Sequence, residues 1–251
     1  MPVRSGEMVL LALAGKKKVK LYSPPRVGIL VTGEEVVNIE EDPGHGKIRN
    51  TNGYMLVGQT KEKGGIPYFL GLAGDSIKEI AGVIEKNLPH LDVVVTTGGA
   101  GGGDFDLIEE VFSSLGASIL FRQLFIKPGH FTLGACKKDK LFLGLSGSPA
   151  GVFVSFELLA APLLRRMQGL KGDEKNLEEA RLKGYIKGPF PQDSYLKGVS
   201  YLEKGALKVE AKRAGITSFA GVNTLIYIPR GKGPFQEGDR VRVIPLKGFT
   251  G

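Results

Sequence analysis

The amino-acid sequence predicts an α/β fold. A three-layer, mainly parallel sheet with helices on both faces is expected over residues 26–169, followed by a small all-β domain over 170–251, with residues 1–25 as an N-terminal extension. Two patterns carry this reading. Up to residue 169, short apolar runs that stop at glycine or a polar loop alternate with segments of helical period, as βαβ units require. Beyond Gly169 the helical period fades and alternation of period two takes over.

Residues 26–32 form an apolar run ending at Gly33, the mark of a buried parallel strand. Asn52 is a candidate cap for a helix carrying Tyr54, Met55 and Leu56, closed near Gly64 and Gly65. Residues 67–72 read as the next strand. Ser76-Ile77-Lys78-Glu79 is a capping box, and Ile77, Ile80, Ala81, Ile84 and Leu88 then repeat at helical spacing up to Pro89. Residues 91–97 are a strand centred on three valines. The following helix presents Leu107, Ile108, Val111, Phe112 and Leu115 on one face. Strands are expected at 118–126, 131–133 and 141–145, then a long apolar helix from about 150 to 167. A charged stretch, 173–181, reads as a short helix or a linker. Leu207, Val209 and Ala211, and later Val241 and Val243, alternate as strand residues do.

Composition narrows the class. At 42% apolar and 24% charged residues the chain is an ordinary globular protein. Its net charge of +8 is concentrated in residues 171–251, where 15 Lys and Arg face nine Asp and Glu. Such a surface favours anionic partners, or simply keeps a small domain soluble. Nucleic acid is disfavoured as partner, because the interleaving of aromatic and basic residues used by single-strand binders is missing. Cys136 is the one cysteine, so no internal disulfide can form; it reads as a turn thiol. No apolar run approaches the roughly 20 residues of a membrane span, and no signal-peptide pattern precedes residue 26. Cytoplasm is the expected compartment.

Polar and glycine-rich stretches fall where strands end, the edge at which open α/β sheets bind ligands. The strongest is Thr96-Thr97-Gly98-Gly99-Ala100-Gly101-Gly102-Gly103-Asp104-Phe105-Asp106. It matches neither the dinucleotide fingerprint nor the Walker loop, since Asp104 stands where lysine belongs. What it offers is bare backbone N–H at Gly98, Gly99, Gly101 and Gly103 for an anion, and Asp106 for Mg²⁺ or for ligand N–H groups. A flexible turn with a capping carboxylate reads equally well. Ser146-Gly147-Ser148-Pro149 opens a helix and suits an oxyanion or an ordinary cap. Lys127-Pro128-Gly129-His130 puts a cation on a rigid turn. Thr32-Gly33-Glu34-Glu35 offers carboxylates for a cation, and Asp75 precedes the capping box.

These stretches, taken in order, resemble the molybdopterin-binding domain shared by molybdopterin molybdenumtransferases, the gephyrin E domain and molybdopterin adenylyltransferases. The matching segments are 26–36, Ile48-Arg49-Asn50-Thr51-Asn52, 97–106, Lys127-Pro128-Gly129, 144–149 and 156–169. Residues 171–251, with Gly238-Asp239-Arg240-Val241-Arg242-Val243, are similar to the small C-terminal β-barrel of the transferase branch. The two N-terminal domains of full-length members have no counterpart, and residues 3–27 resemble only their tail. The resemblance implies insertion of molybdate into adenylylated molybdopterin with release of AMP and use of Mg²⁺. It implies Asp106 and Glu34 at the metal, and Lys127 on an oxyanion with Asp75 nearby as the catalytic set. Thr32, Gly33, Glu34, the glycine loop and residues 146–149 would line the cofactor site. It also leaves room for a homo-oligomer and for molybdoenzyme or cofactor-pathway partners. Departures are local: Glu34 stands in place of Asp, Gly101 in place of Ser, and His130 in place of a second lysine, while residues 146–151 replace Pro-Gly-Asn-Pro-x-Ser. They make a non-catalytic molybdopterin carrier or sensor the alternative expectation.

Overall fold

A computed structural model of the chain describes residues 3–98, 104–170, 177–213 and 215–246. Helix α1 (Ser5–Leu13) leads, with none of its residues buried, and an extended strap follows to Pro25. The elements after it are β1 (Arg26–Thr32), the two-residue strands β2 (Val36–Val37) and β3 (Ile48–Arg49), α2 (Asn52–Glu62), β4 (Ile66–Ala73) and α3 (Ile77–Asn87). Next come β5 (Val93–Thr97), α4 (Asp104–Ser114), β6 (Ser118–Phe121), β7 (Ile126–Lys127), β8 (Thr132–Lys137) and β9 (Lys140–Leu145). Helix α5 (Pro149–Ser155) widens into a π turn (Phe156–Ala160) before α6 (Ala161–Met167). Pro162 lacks the N–H that would close the regular turn and its ring crowds the carbonyl four residues back, so a local widening falls there.

The first sheet runs β4-β1-β5-β9-β8-β6. Its first four strands are parallel, and β8 and β6 are antiparallel additions. The chain goes outward from β1 to β4 and then returns across to β5, so strand order reverses between β1 and β5. Thr32, Thr97 and Leu145 end adjacent strands at that reversal. Alternation on β5 makes the three layers. Val94 packs with Ile80, Ile84, Val111 and Phe112 from α3 and α4. Val93 and Val95 pack on the other side with Leu56, Val152 and Leu164 from α2, α5 and α6.

The second sheet contains β10 (Glu178–Lys183), β11 (Asp193–Glu203), β12 (Ala206–Ala211), β13 (Thr224–Ile228) and β14 (Arg240–Pro245). Its order β12-β10-β14-β13-β11 closes through a β11–β12 pairing into a five-stranded barrel around Leu182, Val209, Ile226 and Val243. Strand β7 adds to the barrel beside the start of β11, so the turn carrying Lys127 belongs to both lobes. Val154, Leu225 and Ile244 are buried together at the joint, with Phe153 against them. Among the described residues no helix is long and apolar enough to cross a membrane.

The α/β sheet and the barrel agree with the sequence expectation, and several local expectations are corrected. Residues 178–183 form a strand, because Ala180 and Leu182 point inward while charged neighbours point out. Residues 171–176 of that charged stretch lie outside the described residues. The expected strand at 118–126 breaks into β6 and β7, and the one expected at 131–133 begins at Thr132 and runs to Lys137. Cys136 lies within β8, paired to Leu141, rather than in a turn. Asn52 is the first residue of α2 instead of its cap; the side chain that caps the first turn is Asn50, whose Oδ1 accepts from Gly53 N at 2.8 Å. Ser76 does cap α3, accepting from Glu79 N, but the Glu79 carboxylate reaches back to Gly74 N at 3.4 Å and not to the cap residue.

Candidate functional site

The ends of β1, β5 and β9 meet at the strand-order reversal, and side chains from the β3–α2 turn hold them together. Asn52 Nδ2 donates to Gly147 O at 2.8 Å and to Thr97 Oγ1 at 3.2 Å. Thr97 Oγ1 donates in turn to Ser146 O at 3.1 Å. Three segments distant in sequence are thereby locked around a cleft of about 50 Å³ lined by Thr32, Glu35, Asn50, Thr97, Gly98 and Gly147, among others. Gly98 is required at its position. With φ +157°, a Cβ there would lie 2.0 Å from Thr32 O and 2.1 Å from Thr32 Oγ1. Only bare backbone lets the β1 and β5 loops approach so closely.

Pro149 is a wall of this cleft and of a larger neighbour. That neighbour, about 490 Å³, lies between the start of α5 and the barrel. Its floor is apolar, with Pro128, Tyr195, Ile216 and Phe219, and its cations are Lys197, Lys212 and Arg213, with no carboxylate among the described residues that line it. Lys197 Nζ stands 3.5 Å from the centroid of the Phe219 ring and donates to Ser218 Oγ at 2.5 Å. Burial pushes its ammonium below the ordinary lysine range. Burial, then the Tyr227 and Asp193 charges, raise the Tyr195 hydroxyl to about 12, so it is a neutral hydrogen-bonding group at physiological pH.

A third cavity, about 350 Å³, shares Pro128 and Ser148 with the second and is lined also by Lys127, Gly129, His130, Ser146 and Gln192. Its turn is set by packing. Gly129, at φ +101°, would place a Cβ 2.4 Å from Ser155 Oγ. Ser155 bonds Thr132 Oγ1 at 2.8 Å, and Thr132 holds Gly129 O at 2.8 Å. His130 Nδ1 lies 2.7 Å from Leu124 O, a group that can only accept, so Nδ1 carries a proton and Nε2 is the nitrogen left for a ligand. Ser148 caps α5 through Gly151 N at 3.2 Å, with its hydroxyl 3.4 Å from that of Ser146.

The expected site residues fall at the following places. Thr32, Gly98, Gly147 and Pro149 line the cleft at the reversal. Lys127, Ser146 and Ser148 line the adjoining cavity. Glu34 is exposed, with its carbonyl bonded by Lys47 Nζ at 2.6 Å, and Glu35 rather than Glu34 borders the cleft. Gly33 is buried above the Glu35 carboxylate, and its N–H bonds Ala73 O at 3.2 Å. Asp106 is exposed in the first turn of α4, and Asp75 is exposed between β4 and α3. Gly99, Gly101 and Gly103 lie outside the described residues. Asn50, Asn52, Lys197, Lys212 and Arg213 enter the site without having been assigned a role in it from sequence. The excess of Lys and Arg over residues 171–251 was the signal for the last three, and nothing linear joins them to residue 149.

This arrangement defines a class: an α/β domain with a cleft at a strand-order reversal, and a β-barrel adding cations to the rim of a neighbouring cavity. Residues 28–166 match the family described as "Probable molybdopterin binding domain", and the chain belongs to that family. It is 31% identical over 253 residues to a molybdopterin molybdenumtransferase of Bacillus subtilis, covering 99% of this chain and 59% of that protein. It is 29% identical over 255 residues to one of Nostoc sp., covering 97% and 58%. Among solved structures, a molybdopterin biosynthesis protein from Pyrococcus horikosii superposes with a TM-score of 0.82 at 31% identity, covering 97% of this chain and 60% of that one. The chain thus spans about 59% of the length of the curated relatives it matches.

Proposed function

We propose that this chain acts in molybdenum cofactor biosynthesis, inserting molybdate into adenylylated molybdopterin with release of AMP. The observation that carries the reading is the change of character along the site. Amide and hydroxyl groups line the strand-end cleft, with one carboxylate, Glu35, and one cation, Arg49, at it; hydroxyls, His130 and Lys127 line the middle, and the three cations Lys197, Lys212 and Arg213 the barrel rim. That order, with cations accumulating toward the barrel, suits a polar heterocycle with an anionic tail. The names of the relatives, molybdopterin molybdenumtransferases, support the same chemistry.

In this proposal the heterocycle enters at Thr32, Gly33, Gly98 and Gly147, where close-packed backbone leaves room for a flat edge. The glycine loop at Gly99, Gly101 and Gly103 supplies backbone N–H to phosphate oxygens. Ser146, Ser148 and Pro149 bridge toward Lys127, whose compact charge holds a molybdate oxygen. Asp75 positions the loop beside β1. Among the described residues no group of three or more His, Cys, Asp or Glu could hold a metal alone. Mg²⁺ commonly takes one or two carboxylates and completes its shell with substrate phosphates and water. Asp106 and Glu34 would be the protein's share, and the ion would neutralise charge building on the departing phosphate.

The test is AMP release from adenylylated molybdopterin with molybdate and Mg²⁺. Molybdate-dependent release by the wild type, abolished in Asp106→Asn, is the expected result. Undetectable release by the wild type overturns the proposal, and pterin binding without release returns the chain to the carrier reading.

A further inference from the structure

Asn50 and Asn52 carry hydrogen-bonding groups that the fold itself leaves unused. Asn50 is 2% exposed and its Oδ1 is taken by Gly53 N, which leaves its amide nitrogen as the unspent end. Asn52 is 8% exposed, and its orientation is forced as well. Gly147 O can only accept, and Thr97 Oγ1 has spent its proton on Ser146 O, so both demand the Asn52 nitrogen. Turning either amide over would set acceptor against acceptor or donor against donor. The atoms left are a donor, Asn50 Nδ2, and an acceptor, Asn52 Oδ1, neither with a partner among the described residues. Both residues line the cleft at the strand-order reversal.

Buried unpaired donors and acceptors are costly and concentrate where a ligand completes them. We infer that Asn50 and Asn52 form a specificity element that reads a cyclic-amide edge, the Asn50 N–H on the ring carbonyl and the Asn52 carbonyl on the neighbouring ring N–H. This rests on the proposed pterin substrate and says which end enters here. An oxyanion gains nothing from the Asn52 carbonyl, whose lone pairs repel it. The cleft, at about 50 Å³, admits an edge and not a whole ring system. The cleft's own cation, Arg49, has its Nε on Ile39 O at 3.2 Å, and Glu35 adds a repelling carboxylate, so oxyanions are left chiefly to Lys127 and the barrel cations.

The test uses two pteridines of nearly equal shape. 6-Hydroxymethylpterin presents the amide edge; 2,4-diamino-6-hydroxymethylpteridine replaces its ring carbonyl with an amine and its ring N–H with a bare nitrogen, reversing both polarities. Calorimetry on the full chain is expected to show the wild type preferring the pterin by tenfold or more. Asn50→Asp retains the cap oxygen for Gly53 and exchanges the donor for an acceptor. It should cut the preference at least tenfold, chiefly by tightening the diamino compound. A structural lesion would weaken both probes alike. Equal binding of the two probes by the wild type overturns the inference while leaving the pterin reading in place, and no change of preference in a folded Asn50→Asp variant overturns it too. Failure of both probes to bind overturns the inference and the pterin reading together. AMP release measured in parallel reports on the reaction independently.

Discussion

The far end of α2 is anchored by a buried ion pair whose removal should be expensive. Lys63 Nζ lies 2.8 Å from Glu157 Oε2, with side-chain exposures of 10% and 5%. The same ammonium donates to Leu246 O at 2.9 Å, tying the barrel's last described residue to the α/β lobe. Glu157 Oε1 accepts from Gln59 Nε2 at 3.0 Å. Lys63→Met keeps the aliphatic stem and deletes the charge, leaving a carboxylate buried with only an amide beside it. Breaking such a pair from one side costs about 3–5 kcal/mol. At about 2–4 °C per kcal/mol for a chain of this size, the midpoint of thermal unfolding should fall by roughly 6–20 °C. The double variant Lys63→Met/Glu157→Gln removes both charges and keeps an acceptor for Gln59. It should recover most of the loss, since uncharged replacements of buried pairs are often nearly neutral. Urea unfolding followed by circular dichroism measures both, with an unchanged slope showing that the unfolded state is not altered. A loss below about 1 kcal/mol in the single variant, or a double variant no better than the single, refutes the reasoning that desolvation dominates here.

Three further outcomes follow from the geometry. Gly98→Ala forces apart the β1 and β5 loops; pterin binding should be lost with more than about 1 kcal/mol of destabilisation, and wild-type affinity by calorimetry would contradict it. Gly129→Ala drives a methyl into Ser155 Oγ and displaces the Lys127 turn, so AMP release should fall at least tenfold; adding Ser155→Gly, which vacates that space, should restore part of it, and no restoration argues against the steric cause. Arg26 holds the Asp92 carboxyl below the ordinary aspartate range through its side chain and its backbone N–H at 2.7 Å. The sign follows: a depressed carboxyl stabilises fully above its unfolded value of about 4 and loses that contribution as pH falls through the folded one. Asp92→Asn should therefore be less stable at neutral pH and show a flatter acid limb in pH-dependent melting, by a modest amount because Arg26 is 38% exposed.

What could be read from the sequence tracks how locally each feature is determined. The valines of β5 and the helical repeat of α3 announce themselves because burial on one or both faces writes a period into adjacent residues. Strand β10 was obscured because its exposed positions are Glu, Arg and Lys, residues equally at home on a helix, and only two inward residues, Ala180 and Leu182, mark the alternation. The glycine and serine loops were legible as strand-end features, since chain direction alone puts them at one edge of a parallel sheet. The rim cations were not. Lys197 and Lys212 share a cavity with Pro149 only because the barrel closes and β7 pairs with β11, a long-range event that leaves no local trace.

Asn50 and Asn52 show the same limit at the scale of single atoms. Asn-Thr-Asn before a helix is sufficiently explained as a cap, and Asn50 does cap. The second role appears only when Thr97 and Gly147 stand opposite Asn52, because they fix which end of its amide is spent. Sequence supplies two amides of undetermined orientation, and the sheet order converts them into one donor and one acceptor of fixed sense. The charged groups of the site, by contrast, keep their sign in any fold, which is why Lys127 and Asp106 were candidates from the start. Charge can be nominated from composition and loop position; polarity of a neutral group has to be earned from topology. In this site the charge of Lys127 is therefore legible in sequence, and the fixed polarity of Asn50 and Asn52 only in the folded chain.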